Sequence, residues 1–92
     1  LIKSANIFVT GKVQGVGFRF TVQKIAMENG LYGWVKNLGD GSVEVFVQGD
    51  EKVIYPFIDK LKDNPTPFSK VRDVQWTWKA TEKEFSSFDI LY

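Results

Sequence analysis

The sequence contains no cysteine and no histidine among its 92 residues. Without cysteine it can form no disulfide, offer no thiolate nucleophile and build no cysteine metal site. Without histidine it lacks the usual general base near neutral pH, the Ser–His and Cys–His pairs, and the commonest zinc ligand. Neither sign of charge is in excess: 12 Lys and Arg stand against 11 Asp and Glu, a formal net charge of +1. That balance argues against a protein that blankets nucleic acid or anionic membrane with positive charge. No apolar run approaches the ~20 residues of a membrane span, and no charged-then-apolar segment opens the chain as a signal would. The first residue is Leu1 rather than Met, so removal of an initiator or leader is expected. An enzyme built on this chain must work by positioning and charge stabilisation, with carboxylates, Lys, Arg, amides and backbone as its tools.

What is present suits one small core. The chain is 43% hydrophobic and 15% aromatic, and its length predicts a single domain over residues 1–92. A domain this size buries roughly 60–65% of its unfolded surface, so its margin of stability is thin. From Lys3 to Val13 the residues alternate, with Ala5, Ile7 and Val9 on one face and Asn6, Phe8 and Thr10 on the other. That is the period of a half-buried strand. Gly11 to Gly17 holds three glycines in seven residues and reads as a loop. Phe18, Val22, Ile25 and Ala26 then recur at helical spacing, and Asn29-Gly30 supplies a stop, which predicts a helix over about 18–29.

Leu31 to Leu38 reads as a second strand and Ser42 to Gln48 as a third, with Val43, Val45 and Val47 on one face. Asp40-Gly41 between them signals a hairpin, because such a turn needs positive φ. Val53, Ile54, Phe57, Ile58 and Leu61 form the apolar stripe of a second helix with Asp50 as its cap, and Pro56 is expected to bend it or push its regular part later. Residues 63–68 form a connector. Val74, Trp76 and Trp78 mark a further strand, and Phe88, Ile90 and Tyr92 a last short one after the polar Thr81–Ser87 loop. The order β-α-β-β-α-β plus a short terminal strand predicts an α+β, ferredoxin-like split βαβ fold, with two helices on one face of a mostly antiparallel sheet.

Two features could carry chemistry. The glycine-rich loop joins a strand to a helix start, where backbone N–H groups can converge on an anion and glycines let it approach closely. Arg19 lies in the first helical turn, against the helix dipole, and an anion between it and the loop would resolve the conflict. The residues alone leave this open against a tight β-to-α turn with a solvated Arg19. Asn37 ends the second strand; as a residue it reads first as a turn former bonding its own backbone, and second as a polar group facing a site. Lys36 reads as a surface lysine, and the tryptophans as packing.

Val9-Thr10-Gly11-Lys12-Val13-Gln14-Gly15-Val16-Gly17-Phe18-Arg19 resembles the first signature of the acylphosphatases. Gly33-Trp34-Val35-Lys36-Asn37, followed by Gly41, Val43 and Gly49, resembles the second, and the likeness runs on to Phe88-Asp89-Ile90-Leu91-Tyr92. The resemblance implies metal-independent, cofactor-free hydrolysis of the carboxyl–phosphate bond of small acyl phosphates by in-line water attack. It assigns phosphate binding to Arg19 and the backbone of Gln14, Gly15, Val16, Gly17 and Phe18, with Gln14 bracing the loop, and positioning of the water to Asn37. Inorganic phosphate or sulfate is then expected to inhibit. The expected setting is a cytoplasmic monomer that engages neither nucleic acid nor membrane.

An acyl phosphate is an activated mixed anhydride, so a chain without His or Cys can hydrolyse it by positioning and electrostatics. Two other readings compete. One is an acylphosphatase-like module of a larger carbamoyltransferase, which the absence of any tail after the last strand disfavours. The other is an RNA-binding ferredoxin-like domain, which the single aromatic of the third strand, Phe46, and the near-neutral charge disfavour.

Overall fold

A computed structural model describes residues 2–92. Seven elements follow in chain order: β1 (Ile2–Lys12), α1 (Phe18–Glu28), β2 (Tyr32–Asn37), β3 (Val43–Asp50), α2 (Glu51–Lys62), β4 (Lys70–Lys79) and β5 (Phe88–Leu91). The strands form one sheet in the order β4-β1-β3-β2-β5. Four of them pair antiparallel, and β5 adds to β2 in parallel. Strands β1 and β2 flank β3, and β3 and β4 flank β1, so each strand–helix–strand unit is split by a strand of the other. This is the ferredoxin-like arrangement expected from the element order.

Strand alternation decides what the sheet buries. Ala5, Ile7 and Val9 pair with Val47, Val45 and Val43, and Val35 pairs with Val45, so these residues share one face and are fully buried. Phe18, Val22 and Ala26 of α1 and Ile54, Phe57, Ile58 and Leu61 of α2 close over that face to complete the core. Trp76 and Trp78 lie at its β4 edge, each meeting Tyr55 of α2 edge-on at 5.8 and 5.6 Å between ring centres. They are packing, as their strand spacing suggests.

One expectation needs correcting. The regular part of α2 is not delayed by Pro56 but runs from Glu51 to Lys62 with Pro56 inside it. Its first turn is well founded: the Asp50 carboxylate accepts from the Lys52 N–H at 2.8 Å, and Glu51 and Lys60 stand at the ends the helix dipole favours. Pro56 itself is exposed, away from the buried stripe. The missing N–H therefore leaves no donor-less gap inside the core.

The outer face of the sheet is covered in part by the 80–87 loop. Gln48 is buried and acts as the anchor: its amide donates to the Lys83 carbonyl at 2.7 Å and to Ser4 Oγ at 3.1 Å, and its Oε1 accepts from the Phe85 N–H at 2.8 Å. Phe85 packs on Phe46, which also stacks on Trp34. The one aromatic of β3 is thus engaged on both sides, a poor platform for stacking a base.

Candidate active site

The cradle is built by the chain between β1 and α1. Gly15 and Gly17 have φ of 73° and 75°, a conformation that side-chain-bearing residues adopt only at a cost, so the glycines permit the turn itself. Gly17 is also the N-cap of α1. It provides no side chain to cap the helix, the first turn holds no acidic residue, and the first helical bond runs from the Thr21 N–H to the Gly17 carbonyl at 3.1 Å. The N–H groups ahead of Thr21 therefore have no helical acceptor. An anion at this end would satisfy them and the dipole together.

Arg19 projects from that first turn. Among the described residues no carboxylate pairs with it. Its Nη1 donates to the Leu91 carbonyl at 3.2 Å, and its Cζ lies 4.9 Å from the centre of the Tyr92 ring. These contacts orient the guanidinium without neutralising it, which leaves its charge for a ligand.

Asn37 enters from β2. It pairs with Val43, which sets its side chain on the core-facing side of the sheet beside the loop. Its Oδ1 is buried and accepts no hydrogen bond from any of the described residues. An acceptor that the fold leaves without a protein partner at a cleft wall is open to a donor in the cleft. The turn does not need it, because Asp40 does that work. The Asp40 carboxylate accepts from the Ser42 hydroxyl at 2.5 Å and from the Ser42 N–H at 2.9 Å. These bonds, the hydroxyl first, hold the Asp40 carboxyl below its ordinary value of 3.8. The hairpin closes with the Leu38 N–H donating to the Ser42 carbonyl at 2.8 Å and Gly41 at φ 93°. Only the glycine of the Asp40-Gly41 pair takes positive φ.

Gln14 joins these two parts. Its Nε2 donates to the Leu38 and Ser42 carbonyls, both at 2.8 Å, so one amide ties the glycine loop to the hairpin that carries Asn37. Val16 is half-buried against the core and Phe18 is fully buried, and both pin the loop from beneath. Gly15, Gly17, Phe18, Arg19 and Asn37 bound one cleft of about 210 Å³. Val13, Phe20, Ile90 and Tyr92 complete its walls. The sequence offers no local signal for the last two, which β5 brings to Arg19 by pairing with β2. Among the described residues no group of three or more Asp or Glu side chains lies close enough to hold a metal ion.

Comparison with known proteins bears on the chain as a whole. The family model described as Acylphosphatase matches residues 5–90. A curated acylphosphatase of Bacillus subtilis is 44% identical over 87 residues, covering 95% of this chain and 94% of that one. The crystal structure of acylphosphatase from Bacillus subtilis superposes with a TM-score of 0.93 at 41% identity over 100% of both chains. Full-length HypF, solved in a phosphate- and nucleotide-bound form, matches with a TM-score of 0.88 at 34% identity, but over only 12% of its own length. The likeness that spans both partners is therefore to the acylphosphatases.

Proposed function

Since the chain belongs to the acylphosphatase family and hydrolyses acyl phosphates, we propose that Arg19 and Asn37 are its catalytic residues and that the backbone of residues 14–18 is its phosphate cradle. The single observation that carries this reading is the buried, unpartnered Asn37 Oδ1 sharing a cleft with Arg19 and the glycine loop. The phosphoryl oxygens take the loop N–H groups and the guanidinium, which spread the charge that shifts onto them in the transition state. Asn37 Oδ1 accepts one hydrogen of a water and holds its oxygen toward phosphorus. That oxygen attacks in line as the bond from phosphorus to the bridging oxygen breaks, and the bonding pair leaves with the carboxylate. Among the described residues no carboxylate or imidazole side chain lines the cleft, so the proton of the water passes to a phosphate oxygen. Nothing in the step calls for a metal, and one chain supplies the whole site, in keeping with a monomer.

Titration with inorganic phosphate tests the cradle. Backbone amide shifts should centre on residues 14–19, phosphate should inhibit competitively against benzoyl phosphate, and Arg19→Ala should weaken that inhibition while turnover collapses. Shifts confined to the Lys60–Lys62 end of α2 would refute the assignment.

A further inference from the structure

The cleft has an apolar rim that phosphate binding does not explain. Phe20 is the third residue of α1, two beyond the buried Phe18 and thus roughly 200° around the helix from it. The core makes no use of Phe20, which is 67% exposed. Exposure alone means little, since Met27 and Phe68 are comparably open. What distinguishes Phe20 is its place: with Tyr92 and half-buried Ile90 it bounds the same cleft as Arg19 and Asn37. Tyr92 is itself fully exposed, yet its ring lies against the Arg19 guanidinium.

Resting on the cradle reading above, we propose that Phe20 and Tyr92 form a lip that selects acyl phosphates with aromatic acyl groups over those with small ones. In-line displacement sends the acyl group away from the water held by Asn37, outward across the rim of the cleft. An aryl ring there meets two exposed aromatic side chains, whereas an acetyl methyl covers almost none of their surface. An aromatic contact of this kind contributes roughly 2- to 10-fold in affinity. The lip acts on the acyl half of the substrate, and inorganic phosphate does not reach it.

The test compares kcat/KM for benzoyl phosphate and acetyl phosphate in the parent protein, Phe20→Ala and Tyr92→Ala. Both side chains lie outside the core, so folding should survive. The benzoyl-to-acetyl ratio should fall by about 2- to 10-fold in each variant, and in Phe20→Ala through a higher KM for benzoyl phosphate alone. The phosphate inhibition constant of Phe20→Ala should match that of the parent. An unchanged ratio in both variants, or an equal loss on both substrates in Phe20→Ala, overturns the lip. A parent protein that phosphate does not inhibit overturns the cradle, and the lip with it.

Discussion

Replacing Asn37 by Ala separates a catalytic group from a turn residue, because the two roles predict opposite balances of stability and activity. In the free protein none of the described residues donates to Oδ1, so truncation to Ala breaks no hydrogen bond at that atom. It removes packing, but the residue is only half-buried, so the lost contact is worth about 1 kcal/mol. The unfolding free energy should therefore fall by no more than about 1 kcal/mol. Turnover should drop by about 10²–10³-fold, the scale for losing one hydrogen-bonding group matched to the transition state. Phosphate affinity should change by less than about twofold, since Oδ1 serves the water and not the phosphate. The assay is urea unfolding beside kcat on benzoyl phosphate and a phosphate inhibition constant. A variant about 2 kcal/mol less stable than the parent that still turns over at the parent rate would refute the reasoning and leave Asn37 structural.

Three further outcomes are expected. Gln14→Leu removes two 2.8 Å hydrogen bonds, although the Leu38 and Ser42 carbonyls each keep one backbone donor. Urea unfolding should therefore show a loss of about 1–3 kcal/mol, and phosphate affinity and kcat should fall together as loop and hairpin lose register; unchanged kinetics would sink the bracing role. Asp40 has a lowered pKa, so its bonds to Ser42 stabilise the fold above the ordinary carboxylate value and lose that effect as pH falls through the lowered one. Ser42→Ala should raise the Asp40 pKa in a carboxyl NMR titration, and an unmoved value would contradict the assigned cause. Exhaustive EDTA treatment should leave benzoyl phosphate hydrolysis intact, while loss of activity restored by a divalent ion would disprove metal independence.

Much of this molecule is legible along the chain because its signals are local. Alternation at Ala5-Ile7-Val9 and at Val43-Val45-Val47, helical spacing from Phe18 to Ala26, and glycines where φ turns positive are properties of neighbouring residues. Hydrophobic burial reads them directly. Arg19 was visible for a similar reason, a cation at the wrong end of a helix. Asn37 is legible only through the likeness of Gly33-Trp34-Val35-Lys36-Asn37 to a family signature: its residue type alone favours a turn, and its burial follows from the pairing with Val43. The continuous α2 through Pro56 also lay beyond local rules, because exposure of that residue is a matter of which face the sheet covers. Gln14 bracing a hairpin 24 and 28 residues away, and Arg19 held by a carbonyl 72 residues away, are likewise set by strand order. The sequence by itself determined the elements and the chemistry available to them. The tertiary structure decided which groups meet, because the β4-β1-β3-β2-β5 order joins segments that share no local pattern.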